Sequence, residues 1–173
     1  MGEMAFEEPL KKARNPLSFI PYLSASSQKD FIEPSQNSSF SLGGDVKVPI
    51  GNALNLDLTI NPDFSQVEVD DQVVNLTRFA ISLPEKRQFF TQNDDLFKDF
   101  GAFGDVTPFF SRRIGVAEDL DGNTIENKII AGARLSGKLN SNLRLGFLNV
   151  LTEEDIKNEI PSNLNTVFTL RQK

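Results

Sequence analysis

Carboxylates are the side chains of this chain whose grouping could do chemistry. Glu68, Asp70 and Asp71 lie together, and such a group could hold a hard cation or supply an acid–base pair. Because no spacing places a partner carboxylate opposite them, the pattern favours a solvated or arginine-paired loop. The stretch DLDGNT at 119–124 lacks the spacing of an EF-hand calcium loop, and its Asp-Gly pair is typical of a turn. Neither group predicts a metal site.

Composition removes most other reactive groups. The chain has 173 residues with no Cys and no His, which excludes thiol nucleophiles, disulfides, imidazole bases and the common zinc ligands. The formal net charge of −6 argues against a nucleic-acid partner, because such a partner needs a basic surface that neutralises phosphates. We therefore expect no enzymatic activity, no cofactor and no metal. The length fits a single domain over residues 1–173.

A charged and aromatic stretch, RFAISLPEKRQFF at 78–90, indicates anchoring rather than chemistry. It follows the period of neither a helix nor a strand. With FFSRRIG at 109–115 it supplies the predicted structural anchors, which are Glu85, Lys86, Arg87, Phe89, Phe90, Arg112 and Arg113. We expect the charged anchors to pair with polar residues of a sheet, namely Asp45, Asp57, Arg134 and Arg144. We expect the aromatic ones to pack into a small core with Phe79, Phe109 and Phe110. The alternative is a solvated loop held by two buried phenylalanines.

Alternation of apolar and polar residues predicts the strands that must position these anchors. Segments 39–60 and 128–151 each alternate on both sides of a turn signal. The signal is Gly51-Asn52 in the first segment and NSN at 140–142 in the second. Each segment is therefore predicted to be a β-hairpin with one apolar and one polar face.

Further strands and one long connection complete the predicted layout. Segments 16–26 and 166–173 have weaker strand patterns, which brings the expected total to about six strands. The alternation degrades near Leu148, where we expect a bulge or the end of a strand. Residues 61–127 join the two hairpins, and a connection of that length is rare in a compact domain unless it is functional.

Alternation leaves two kinds of antiparallel sheet open. In a soluble sandwich or small barrel the apolar face lies inside, whereas in an outer-membrane barrel it faces lipid and the polar face lines a wet lumen. Glycines within the strands favour a barrel wall, which has to bend. The presence of one Tyr and no Trp counts against it, because membrane barrels carry Tyr and Trp girdles.

A family resemblance favours the barrel. The stretches NPDFSQVEVD, NLTRF and PEKRQFF within 58–90, followed by FFSRRIG at 109–115, resemble an uncharacterised family of Gram-negative outer-membrane proteins. In that family a carbohydrate-binding-like module of the family 9 type commonly precedes a barrel-like domain of unknown function. The likeness covers about 40–150 of the chain. The chain departs from the usual wording at four positions, which are Ala80, Leu83, Gln88 and Phe110.

The resemblance implies an all-β antiparallel sheet that forms part of an outer-membrane β-barrel. We expect a fragment of such a barrel, with residues 61–127 as a long plug-like loop folded into its lumen. The implied role is structural, pore-forming or transport-related, and the implied location is the outer membrane. Expected partners are outer-membrane lipid and other envelope proteins or glycans, with no nucleic acid. The alternative functions are a soluble β-domain that binds glycans and, less favoured, a carboxylate-based glycan hydrolase.

Overall fold

Six strands form one antiparallel sheet in which every strand pairs with its neighbours in chain order. The computed structural model describes residues 16–30, 35–62, 85, 87–98, 109–122 and 124–172. The strands of the sheet are β1 Ser18–Asp30, β2 Ser35–Ile50, β3 Leu54–Ile60, β6 Ile129–Lys138, β7 Leu143–Thr152 and β8 Leu164–Gln172. Their order in the sheet is β1-β2-β3-β6-β7-β8. Two short strands, β4 Val116–Glu118 and β5 Thr124–Glu126, pair separately. The predicted all-β, antiparallel class is confirmed.

The sheet is open. Strands β1 and β8 stand at its two edges, and each has one neighbour among the described strands. A closed barrel is therefore not seen in the part of the chain that the structure describes.

Both predicted hairpins are present, and their turns lie at the same end of the sheet. Residues 51–53 connect β2 to β3, and residues 139–142 connect β6 to β7. The two turns are adjacent, because the backbone N–H of Lys138 donates to the carbonyl of Ala53 at 2.9 Å. Gly51 has φ 64°, a left-handed conformation that glycine adopts without steric cost. The long connection from β3 to β6 thus leaves from the opposite end.

The two faces of the sheet differ in a way that is unusual for a water-soluble sheet. We call the face that carries Leu58, Ile60 and Phe168 the outer face, and these side chains are exposed. We call the opposite face the inner face. Its polar side chains Asp57, Thr59, Arg134 and Ser136 are buried. The alternation predicted from the sequence is therefore present, with the polar parity as the covered one.

The irregularity expected at Leu148 lies elsewhere. Strand β7 runs through Leu148 without a break in register, and the shift falls between Ile129 and Ala131 on β6. Leu148 and Val150 interrupt the alternation because they lie on the inner face, where they are buried against apolar side chains. The shift turns Ile129 towards the same core and leaves Ile130 exposed.

A short helical layer covers the inner face. We call the described residues 85, 87–98 and 109–115 the covering segment. It contains helices α1 Gln88–Thr91 and α2 Asp95–Lys98 and the 3₁₀ turn Ser111–Arg113. The buried core lies between this segment and strands β6 and β7, and consists of Phe90, Leu96, Phe97, Ile114, Ile129, Leu148 and Val150. The long predicted loop at 61–127 therefore contains secondary structure of its own.

Candidate functional site

A buried ion pair lies at the centre of the inner face. Asp57 on β3 and Arg134 on β6 are cross-strand partners, and Arg134 Nη2 donates to Asp57 Oδ2 at 2.7 Å. The two side chains are 5% and 1% exposed. Lys47 on β2 is the partner of Asp57 on its other side. The ring of Phe89 lies 5.4 Å from the Arg134 guanidinium, within the range of a cation–π contact.

Four buried polar atoms, two of them in this pair and two on neighbouring residues, have no hydrogen-bond partner among the described residues. They are Asp45 Oδ1, Asp57 Oδ1, Thr59 Oγ1 and Arg134 Nη1. A space of about 10 Å³ adjoins Asp45, Asp57 and Arg134. That volume is close to the smallest that can hold one water molecule, and two to four polar partners are what a buried water requires. The inner face is thus polar in its interior and not only at its rim.

A second charged cluster holds the covering segment together. The Glu85 carboxylate accepts from Arg87 Nε and Nη2, both at 2.8 Å, and from Ser111 Oγ at 2.7 Å. Arg87 also donates to the carbonyls of Ser111 and Ile114, at 2.7 and 2.6 Å. Burial raises the pKa of Glu85, but the hydrogen bonds and charge of Arg87 outweigh it, so the pKa lies below its ordinary value of 4.5. The cluster ties the two halves of the covering segment to each other.

A third cluster joins the covering segment to the sheet. The Arg144 guanidinium on β7 binds both carboxylate oxygens of Asp95 on α2. Arg171 on β8 donates to the same carboxylate at 3.4 Å. The hydrogen bond from Arg144 is the largest cause of a lowered Asp95 pKa, and the same bond raises the pKa of Arg144. Nearby, Asn93 Nδ2 donates to Ser136 Oγ at 2.9 Å.

A basic cavity adjoins this third cluster at the turn end of the sheet. Lys138, Arg144 and Arg171 occupy one cross-strand row on β6, β7 and β8. They line a cavity of about 450 Å³ together with Ser141, Asn142 and Gln172. The described residues lining the cavity thus include three cations and no carboxylate.

One family matches this chain. Residues 15–169 match a domain of unknown function, DUF5916. The chain belongs to the DUF5916 family. Comparison with curated proteins and with solved structures found no match. The predicted membership of an uncharacterised domain family is confirmed, and the outer-membrane context of that family stays a prediction.

The predicted charge partners of the DUF5916 anchors differ from those in the structure. Glu85 and Arg87 pair with each other and with the covering segment, not with the polar strand residues that we expected. Three of those strand residues have other partners: Asp57 binds Arg134, and Arg144 binds Asp95. The buried Oδ1 of Asp45 has no hydrogen-bond partner among the described residues. Lys86 lies outside the described residues.

The aromatic anchors lie where the covering segment meets the sheet. Phe89 and Phe90 contact each other edge to face, with ring centroids 5.1 Å apart, and Phe90 is buried in the core. Phe109 packs beside Phe97 with a centroid distance of 6.3 Å. Arg112 is half-buried and Arg113 is exposed. Phe79 and the carboxylate group at 68–71 lie outside the described residues.

Three residues of these clusters were not predicted from the sequence, namely Asp95, Asn93 and Arg171. Arg144 and Arg171 fall on the polar parity of neighbouring strands, which is a signal that they share a face. No local spacing connects either arginine to Asp95, because Arg144 is 49 residues away in the chain.

Neither a metal-binding group nor a membrane-spanning helix is present among the described residues. No group of three or more His, Cys, Asp or Glu side chains there is placed to hold a metal ion. No helix in that part of the chain is long and apolar enough to cross a membrane. Residues 119–122 form a turn in which the Gly122 N–H donates to the Asp119 carbonyl at 3.0 Å.

Proposed function

We propose that this DUF5916 domain is part of the wall of an outer-membrane β-barrel, with its outer face against lipid and its inner face towards the lumen. The covering segment then lies inside the barrel as a plug. The role is structural or that of a pore or transporter, and no reaction is part of it. The observation that carries the proposal is the exposure of the apolar parity of the sheet.

Large apolar side chains cover the outer face from one edge to the other. Phe40 on β2 is 71% exposed, Ile60 on β3 is 66% exposed and Phe168 on β8 is 61% exposed. They belong to a set of exposed apolar residues on the sheet that also contains Phe19, Leu23, Leu42, Leu58, Leu164 and Leu170. Water-soluble monomers rarely expose a continuous apolar surface of this kind. Moving this surface from water into acyl chains would be favourable by about 25 cal/mol for each Å² of apolar surface.

The inner face has the opposite character, which supports a lumen location. The row through Lys47, Asp57 and Arg134 is charged, and the row through Ser136 and Thr169 is polar. An Arg or Lys side chain on the lipid side of a barrel costs about 2–4 kcal/mol at the midplane, and an Asp or Glu costs less. Only the outer face is therefore compatible with lipid.

The proposal also requires a partner for each edge of the sheet. An exposed backbone N–H or C=O in hydrocarbon costs several kcal/mol, so spanning sheets are closed. Strands β1 and β8 would each pair with a further strand in the assembled barrel.

Single-tryptophan variants test the proposal directly, because the chain has no Trp. Phe168→Trp places the probe on the outer face, and Phe97→Trp is the matched control in the core between the covering segment and the sheet. In vesicles of brominated lipid, we expect strong fluorescence quenching of the first probe and little of the second. Phe109→Trp, at a partly buried position beside the core, replaces the control if Phe97→Trp does not fold.

Two outcomes would contradict the lipid-facing assignment. Equal quenching of the outer and core probes is one of them. A detergent-free monomer whose Phe168→Trp fluorescence is indifferent to brominated lipid is the other. That second outcome favours the soluble glycan-binding β-domain, which binding to a glycan array would then test.

A further inference from the structure

Three like charges lie side by side on the inner face at the turn end of the sheet. Lys138 is the cross-strand partner of Arg144, and Arg144 is the partner of Arg171. Neighbouring strands are about 4.8 Å apart, and like charges directly opposite each other destabilise a sheet. Anionic groups close to such a row would offset this destabilisation.

The covering segment supplies one such group. Asp95 binds Arg144 through both of its oxygens and also contacts Arg171. Lys138 extends the row beyond the reach of this contact, on the far side of Arg144. The positive row contrasts with the chain as a whole, whose formal net charge is −6.

The cavity beside the row has the size and the donors of a small-ligand site. Its volume of about 450 Å³ falls within the range of such sites, about 300–1,000 Å³. Arginine forks bind phosphate oxygens in pairs, and lysine adds a point charge. The turn residues Ser141 and Asn142 add polar groups at the rim. Several donors therefore converge on one open space.

We propose that Lys138, Arg144 and Arg171 form a binding site for phosphate-type anions. The anion binds there beside the Asp95 carboxylate, which contacts Arg144 and Arg171. The lumen location of this site rests on the proposed function. The site adds a preference for anions to that function, because rings of Arg and Lys select anions in pores. The row lies on the face opposite the lipid-facing one. A free phosphate compound therefore fits the site better than the headgroup of a bilayer lipid.

Calorimetric titration of the detergent-solubilised protein with inorganic pyrophosphate tests the site. Each titration is matched by one with chloride at equal ionic strength. Lys138→Gln and Arg171→Gln should each weaken pyrophosphate binding about tenfold, because each removes one charge-assisted contact. Lys157→Gln, an exposed cation in the β7–β8 loop, is the matched control and should leave the affinity unchanged.

Asp95→Asn gives the opposite sign. It removes the carboxylate that competes for Arg144, so pyrophosphate should bind about threefold tighter or more. A purely structural role of this contact predicts no tighter binding. Far-UV circular dichroism checks that each variant folds, and Lys138→Gln carries the test if Arg171→Gln does not fold, because Lys138 is exposed.

Three outcomes would overturn the site. They are no pyrophosphate binding beyond the chloride control, equal effects of Arg171→Gln and Lys157→Gln, and weaker binding by Asp95→Asn. Dihexanoyl phosphatidate, with dihexanoyl glycerol as its uncharged control, tests binding of a lipid headgroup. Tighter binding of the phosphatidate than of pyrophosphate would contradict a free phosphate compound as the ligand. If pyrophosphate does not bind but brominated lipid still quenches Phe168→Trp, only the anion site is refuted. If pyrophosphate binds and that quenching is absent, only the barrel is refuted.

Discussion

Removing the charge of Asp57 tests whether the covering segment excludes water from the buried ion pair on the inner face. In Asp57→Asn the Arg134 guanidinium keeps its charge, because arginine does not lose its proton in proteins. Its other contacts are the Gln92 amide oxygen, at 3.4 Å, and the ring of Phe89. Neither group carries a negative charge, and Asp45 adjoins the same small space without a hydrogen bond to Arg134, so the buried cation loses its bonded counter-ion.

The expected loss follows from the burial of both partners. Arg134 is 1% exposed and Asp57 is 5% exposed, so water cannot replace the lost carboxylate. Breaking a buried pair in this way costs about 3–5 kcal/mol of unfolding free energy. For a chain of this length that corresponds to a fall in Tm of roughly 6–20 °C. Lys47, the other cross-strand partner of Asp57, loses its neighbour as well.

Urea unfolding in detergent, followed by far-UV circular dichroism, measures the loss. Glu153→Gln removes an exposed carboxylate and should change the unfolding free energy by no more than about 0.5 kcal/mol. The double variant Asp57→Leu/Arg134→Met removes the pair together and should recover most of the stability, since buried pairs are often replaceable by apolar groups. If Asp57→Asn stays within about 1 kcal/mol of the Glu153→Gln control, the pair behaves as a solvated surface pair. The covering segment would then not exclude water from the inner face.

Two further predictions concern the covering segment. The folded-state pKa of Glu85 lies below its ordinary value of 4.5, so its carboxylate stabilises the fold above about pH 4.5 and that contribution is lost as the pH falls further. Glu85→Gln should therefore lower the free energy of unfolding near pH 7. Between about pH 7 and about pH 3.5 the variant should lose less further stability than the native chain, and urea unfolding at both pH values measures this difference. Gly132→Ala places a methyl group 2.9 Å from Phe89 Cζ, which should cost about 1–3 kcal/mol and speed proteolysis of the covering segment. At Gly44 the nearest atom would be 3.4 Å away, so Gly44→Ala is the matched control, and equal proteolysis rates would contradict the close packing.

The strands were predictable from the sequence because alternation is a local property. Residues 54–60 alternate without interruption, and β3 occupies the same residues. Which parity would be covered was not predictable, because the exposure of Leu58 and Thr59 depends on what lies against each face. The bulge left a weaker signal. Ile130 breaks the alternation of its strand, and the register shift falls beside it.

The contacts between distant residues were beyond local reasoning for a different reason. Asp57 and Arg134 are 77 residues apart, and only the order of the strands brings them together. Glu85 and Arg87 are two residues apart, so their pairing was within reach. The expectation was wrong about which charged residues bind the sheet. In the structure the charged groups of that cluster satisfy one another, and the sheet is contacted instead by phenylalanines such as Phe90 and Phe97 and by Asp95, which binds Arg144.

The position of the covering segment determines which face of the sheet is left uncovered. A sheet in a soluble two-layer domain buries one face and leaves the other in water. Here the core lies on the inner face beneath helices α1 and α2, so the face left for water would be the one that carries Phe40, Ile60 and Phe168. A soluble protein would need a further layer over that face, with the charged row of Asp57 and Arg134 then enclosed in the middle of a three-layer body. Acyl chains would require no such layer, and the covering segment alone would then separate the charged row from the lumen. The proposed lipid-facing arrangement therefore accounts for both faces with the fewest additional parts.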